Sequence, residues 1–475
     1  MRGGGGRVHR SYSVVVFVVL ASLDNVVIGI TPPLYGRIGD GLDVSRGAIA
    51  GVISVTYLVS AVASVAWAYS GDRTDRKRLL MSGTLVWAAG TAGTALSGTF
   101  VMFVLAQLVA AAGLGAVSSV GFSVVTDLIT PRRRGLVMAF FGLAQGVGSL
   151  TGTLLGGLLG NADWRRPFMV LTVAGLVATV AYLFTYDIRR GESEPELADT
   201  ADYDYRISRR DLPRIWRNRS NVWLVAQGLT AQVAFGSLVW LPVLFTERAK
   251  DQGYDDSTAV VVGTIFTTLF QLGGALSIIG GVIGDRLQRR TPRGRALVAA
   301  VGVLGALPFY AILFYVPMRI TVPNGGGSGE VIAAVLTSVV TEPTVAISLV
   351  TAFTALAFTS ANSPNWFALI GDVNLPEHRG TVYSIGNLVN SLGRAGGNAL
   401  IGVAARALAG AFPPPLNYAA GLALFQLFFV PTGVMYYLAS RTAPRDIADV
   451  HATLLTRAAR TTDQQPSEGT AAASA

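Results

Sequence analysis

The 475-residue chain contains no cysteine and only three histidines, His9, His378 and His451, which lie far apart. Disulfides, zinc-thiolate sites and cysteine nucleophiles are excluded at once. The histidines are too scattered to propose a metal site. Charge is scarce as well, at 14% of residues against about 25% in an average soluble domain. GxSxG, HExxH and a Walker loop are all missing, so neither an enzyme nor an ATP-driven pump is expected. No cofactor is expected either. What the chain has in excess is apolar: 51% hydrophobic residues, 55 glycines and a mean hydropathy of +0.50. That composition belongs to a membrane protein.

About twelve windows are apolar over the roughly 20 residues that a spanning helix needs. They fall at 12–36, 47–70, 79–97, 100–126, 135–160, 167–187, 221–246, 258–283, 296–317, 344–370, 380–409 and 416–440. Helices are expected, because lipid cannot satisfy an open strand edge and the runs are too continuous for barrel strands. The first run follows Arg2, Arg7 and Arg10 and continues past Asp24, too long for a signal peptide, so it reads as an uncleaved first span. The net charge of +9 marks membrane faces rather than a nucleic-acid partner, since the arginines sit between the runs. With the N-terminus inside, inner segments hold 28 of the 37 Lys and Arg, outer segments 8, and one, Arg394, lies within a span. This bias predicts both termini in the cytoplasm.

The charged stretch between spans two and three has a second copy. "SGDRTDRK" at 70–77 matches "IGDRLQRR" at 283–290, an offset of 213. "DLITPRRRG" at 127–135 matches "DVNLPEHRG" at 372–380, and beyond it Gly148, Gly152 and Gly157 fall on Gly393, Gly397 and Gly402. The chain therefore reads as a duplicated six-helix unit, the architecture of transporters whose halves rock about a central site. The expected parts are an N-terminal bundle (1–187), a cytoplasmic linker (188–220), a C-terminal bundle (221–440) and a largely disordered cytoplasmic tail (441–475).

G-D-R-x-x-R-[KR] between spans two and three, repeated between eight and nine, resembles the signature loop of the major facilitator superfamily (MFS), over nearly the whole chain. "YSGDRTDRK", Asp24, "GDRLQRRTPRGR" and "SPNWFALIGDVNLPEHRG" are similar to its Spinster-like branch, whose eukaryotic members export lysolipids and sphingolipid phosphates. Two positions depart: Ala68 replaces a glycine of the loop motif, and the span-four arginine of the branch would fall at Val109. The resemblance implies an all-α fold of 12 transmembrane helices in two pseudo-symmetric bundles. It also implies a conformational latch. Asp72 would sit at the start of span eleven and Asp285 at the start of span five, where exposed N–H groups and positive dipole ends favour a carboxylate. Arg76 and Arg289 would meet Asp127 and Asp372, with Arg73 and Arg286 in the same clusters. The bland alternative is that these arginines only obey the positive-inside bias, which explains neither the aspartates nor the repeat.

Ionisable groups within spans are functional candidates, because a midplane charge costs at least about 2.5–3.5 kcal/mol. Asp24 and Arg394 lie at similar depths in spans one and eleven. Asp24, with Asn25, is expected to carry a coupling proton, and Arg394 to serve as its cationic partner or as an anchor for a substrate anion. Alternatively, Asp24 and Asn25 satisfy backbone groups freed by Pro32 and Pro33, and Arg394 is a structural ion pair. Asn362, Asn390 and Trp366 are candidate cavity-lining residues, although interhelical packing is the commoner use of such residues. The glycine series Gly142, Gly146, Gly148, Gly152 and Gly156 reads as small-residue helix contact. The basic part of the linker, with Ile207, Leu212, Ile215 and Trp216, reads as a helix on the inner leaflet. An apolar run of about eleven residues within 318–343 is too short to span and reads as an interfacial helix or lid. The expected function is secondary transport of an amphiphilic or lipid-like molecule, driven by a proton gradient, in the plasma membrane. Membrane lipids are the expected surroundings and the chain is expected to act as a monomer. A drug or small organic-solute carrier is the alternative, with a passive channel or receptor behind it.

Overall fold

The computed structural model describes residues 4–44, 46–71, 73–129, 163–185, 212–323 and 328–463, with scattered positions between 137 and 160. The side chains of some helical residues, Asp24 among them, lie outside the described set. The first half holds α1 (Gly4–Leu42), α2 (Arg46–Gly71), α3 (Arg76–Ala95), α4 (Phe100–Leu128) and α5 (Arg166–Leu183). The second begins with the short α6 (Leu212–Arg217), then α7 (Arg219–Ser237), α8 (Leu241–Asp251), α9 (Asp256–Leu272) and α10 (Ser277–Gln288). It continues with α11 (Gly294–Gly305), α12 (Leu307–Tyr315), α13 (Ser328–Thr341), α14 (Pro343–Ser360) and α15 (Asn362–Asp372). Last come α16 (Arg379–Leu408), α17 (Leu416–Gln426) and α18 (Phe429–Asp463). Seven helices or joined helices among the described residues are long and apolar enough to cross a membrane.

Several expected spans are interrupted, and local chemistry accounts for it. Pro242 and Pro308 stand in the first turns of α8 and α12, where a missing N–H costs least. The Gly273–Leu276 turn, opening on a Gly-Gly pair, separates α9 from α10. The starts of α3 and α7 are set by caps: the Asp75 side chain accepts from the amides of Lys77 and Arg78, and Asn218 accepts from the amide of Asn221. The apolar run inside 318–343 forms α13, which buries Val331 and Val335 in the second half, as a helix too short to span would.

One expectation needs correction. The tail does not fall out of structure at Arg441: α18 runs to Asp463, burying Val450 and Leu454 beside Leu375. Val109 lies on the exposed stripe Val101, Met102, Leu105 and Val109 of α4.

Glycines set the closest helix contacts, and they repeat between halves. A Cβ on Gly148, Gly152 or Gly156 would fall 2.2, 2.1 or 2.4 Å from the carbonyl oxygens of Ser22, Val26 and Ile30 on α1. A Cβ on Gly393 or Gly397 of α16 would fall 2.4 or 2.2 Å from the carbonyls of Leu229 and Val233 on α7. Only glycine permits backbones this near, as in small-xxx-small interfaces. Gly146 has open space around its Cβ and does not belong to the series; Gly142 lies outside the described residues. Spans one and five thus repeat in spans seven and eleven, as the sequence duplication requires.

The core is divided by depth. At the end of the bundle that carries the loop arginines, one cluster joins Val16, Phe17, Leu20, Leu80 and Val124 of the first half to Trp366, Val373, Val382, Tyr383 and Tyr436 of the second. At the opposite end each half has a core of its own. Ile30, Leu34, Trp87, Phe103 and Phe168 form one, and Phe245, Phe266, Tyr310, Phe314 and Phe429 the other. The long helices pass from shared to private core along their length: α16 places Val382 in the first and Ile401 in the second. The halves are joined at the arginine-rich end and packed separately at the other.

Candidate functional site

The α3 cap places Arg76 at the first position of that helix, aimed at the last turn of α4. Its Nη1 donates to Asp127 Oδ2 at 2.6 Å, the contact that the family resemblance implied. A second guanidinium reaches the same carboxylate from the other half: Arg379 Nη1, at the first residue of α16, lies 2.9 Å from Asp127 Oδ1. Asp127 and Arg379 are both 0% exposed and Arg76 is 7% exposed. Arg379 is braced within its own half by Nε, which donates to the carbonyls of Gly371 (2.9 Å) and Asn374 (3.2 Å). One carboxylate therefore ties two arginines, one from each half. Such charge-assisted bonds are about twice as strong as neutral ones, and a buried charge demands them.

The second half has a matching cluster with one change. Asp372 does not meet Arg289, which is exposed. Its partner is Arg295, whose Nη1 donates to Asp372 and whose Nη2 lies 2.8 Å from Asp285 Oδ1. The reason lies in the longer loop. In the first half the helix after the motif starts at Arg76; in the second it starts at Gly294, so the first-turn arginine is Arg295. Asp285, expected at the start of span five, is buried against Arg295 within its own half. Residues 130–136, Arg134 (the repeat counterpart of Arg379) and Asp72 all lie outside the described residues. Arg73 is exposed and donates to the Tyr69 hydroxyl at 2.9 Å, and Arg286 is exposed.

Deeper in the bundle, Arg394 sits near the middle of the 30-residue α16 and remains exposed. Its Nε donates to Gln232 Oε1 of α7 at 3.0 Å, and it interacts electrostatically with Tyr57 of α2, from the other half. A guanidinium that faces α2 and α7 and still meets solvent borders an interior space between the halves. Asn25 is half-buried on α1, beside the backbone of Asp24. The remaining candidates are placed otherwise. Asn362 is buried and accepts from the Tyr436 hydroxyl. Trp366 is buried in the shared core, its Nε1 donating to the Leu224 carbonyl at 2.9 Å. Asn390 is wedged against α7, where a Cβ on Gly228 would come within 2.1 Å of its Oδ1. Asn362 and Trp366 are thus packed into buried surroundings, whereas Asn390 is half-buried one turn before Arg394 on α16. Sequence reasoning missed Arg379, Arg295 and Tyr57; Arg379 stood in a repeated motif that had been noticed without assigning that residue a task.

The model of the Major Facilitator Superfamily matches residues 14–398. The chain belongs to this superfamily. It is 28% identical over 280 residues to "Sphingosine-1-phosphate transporter SPNS2" of Xenopus tropicalis, covering 56% of this chain and 53% of that one. To "Protein spinster homolog 1" of Bos taurus it is 30% identical over 300 residues, covering 60% and 55%. This MFS chain thus spans about half the length of the curated relatives it matches. Among solved structures, the MFS transporter FucP in its outward conformation superposes with a TM-score of 0.62 at 16% identity, covering 90% of this chain and 98% of that one. A bacterial homolog to the human lysosomal transporter Spinster, inward-facing, gives 0.55 at 18% identity, covering 92% and 98%. These likenesses give the MFS fold, and the curated relatives are named as Spinster proteins and transporters rather than enzymes.

Proposed function

We propose that this protein is a Spinster-type secondary transporter that works by alternating access, seen here closed at its arginine-rich end. The observation that carries the reading is Asp127, shared between Arg76 of its own half and Arg379 of the other. Together with the joint apolar core at that end and the separate cores at the other, this clasp seals one mouth of the space bordered by Arg394. Rocking the halves apart would have to break the Arg379 bond and leave the Arg76 bond in place. The excess of loop Lys and Arg supports placing the sealed mouth at the cytoplasm of the cell membrane, with both termini there.

The substrate reading is an amphiphile bearing an anionic head, with Arg394 as its anchor and Asp24 as the group that takes up and releases a proton. An interior arginine that keeps solvent contact supports the anionic head, and the named substrate of SPNS2 is of that class. The test is uptake of labelled sphingosine-1-phosphate into proteoliposomes under an imposed pH gradient. Saturable uptake that Arg394→Ala abolishes and Asp24→Asn uncouples from the gradient is expected. Uptake indifferent to Arg394, or transport that never saturates, refutes it; the second outcome would indicate a channel.

A further inference from the structure

A groove of about 400 Å³ lies between α10, α11 and α14, on the flank of the second half and away from the interior space. Its floor is made by small residues. A Cβ on Gly280 would fall 2.5 Å from the Cα of Ala361, and one on Gly302 would fall 2.6 Å from the Phe358 carbonyl, so the three helices meet there without side chains between them. Its rims are Ile279, Ile283 and Val301, all exposed apolar residues at the surface that a bilayer would cover. The volume is at the lower end of the roughly 300–1,000 Å³ usual for small-molecule sites. An apolar trough open to lipid accepts a hydrocarbon chain.

Charge decides which lipid. Ile279, Ile283 and Leu287 of α10 line the groove up to the end of that helix, Arg290 following two residues after it, and Val301 and Leu297 of α11 line it back to the first turns of that helix, Arg293 preceding it by one residue. Both arginines belong to the short turn, residues 289–293, that joins the two helices at the Leu287 and Leu297 end of the groove. Arg286, Arg289, Arg290 and Arg293 are all exposed, and no protein side chain pairs with them among the described residues.

We propose that this groove binds an anionic glycerophospholipid, one acyl chain lying between α10, α11 and α14 and the phosphate held by Arg290 and Arg293. The site is separate from the space that Arg394 faces and does not depend on the transported substrate. It rests on the proposed membrane placement only for the leaflet, the one bordering the arginine-rich end.

Native mass spectrometry of the detergent-solubilised full chain tests it, with palmitoyl-oleoyl phosphatidylglycerol or phosphatidylcholine added at equal concentration. One phosphatidylglycerol should be retained about tenfold better than phosphatidylcholine. Arg290→Gln with Arg293→Gln should reduce that preference to within about twofold, while Arg441→Gln, an exposed arginine elsewhere, should leave it intact. Val301→Trp, an outward-facing change that fills the trough, should weaken retention of both lipids, and inorganic phosphate should not displace the bound molecule. An undiminished preference in the double variant overturns the proposal. So does equal retention after Val301→Trp, or displacement by phosphate alone. Because the readout is binding, a failure of the transport reading would leave these results unchanged.

Discussion

Removing the Arg379 guanidinium should open the arginine-rich end without unfolding either half. In Arg379→Met, Asp127 loses one charge-assisted bond of 2.9 Å but keeps the 2.6 Å bond to Arg76, so its charge is not left unpaired. A bond to a charged group contributes about 1.5–3 kcal/mol. Because this one joins the halves only when they are closed, the whole of it should appear in the equilibrium between states. At 1.4 kcal/mol per factor of ten, the open population rises about tenfold to about a hundredfold. The absence of native cysteine supplies the assay. Val382 lies one turn beyond Arg379 in the shared core and is 1% exposed, so Val382→Cys introduces a single thiol that only opening uncovers. Its rate of maleimide labelling should rise by the same factor in the Arg379→Met background. Arg76→Met, which removes a bond internal to one half, should lower stability while raising labelling far less. An unchanged labelling rate, or equal acceleration by both substitutions, refutes the reasoning.

The other predictions concern stability, read as the melting temperature of purified protein. Arg295→Ala leaves Asp285 and Asp372 buried together and should cost at least about 3–5 kcal/mol, whereas Arg289→Ala, at an exposed position, should stay within about 0.5 kcal/mol; equal effects would restore the pairing first expected from the repeat. Gly397→Leu should prevent folding or cost several kcal/mol, because its Cβ alone would lie 2.2 Å from the Val233 carbonyl, while Gly146→Ala should be nearly neutral. Asp446→Ala removes the acceptor for the Ser220 amide at the start of α7 (3.0 Å) and should cost about 1 kcal/mol.

The bundle was legible because its signals are long-range in sequence yet simple: apolar runs, arginine bias, and a repeat that kept its glycines where backbones touch. Arg76 and Asp127 were legible through the family resemblance that the loop motif carries. Arg289 misled because a motif match fixes a residue's place in a string, whereas ion pairing depends on its place in a helix. The first half enters α3 four residues after the motif aspartate; the second stays helical through Gln288 and enters α11 only at Gly294. The run "RTPRG" carried the missing information, since Pro292 and Gly294 mark a turn before a new helix. Asn362 and Trp366 misled differently. Polar and aromatic side chains look alike in sequence whether they line a space or fill one, and Tyr436 and the Leu224 carbonyl, which claim them, are distant in the chain.

The extension of α18 reaches back to the clasp through one short turn. Arg457 Nη1 lies 2.7 Å from Glu377 Oε1, and Glu377 is two residues before Arg379. Tail and clasp are therefore in mechanical series within a single half, so a tag, a protease cut or a phosphate that lifts the helix beyond Pro444 slackens the hand that holds Asp127 without touching it. A fusion that breaks the Arg457–Glu377 pair is therefore expected to loosen the footing of Arg379.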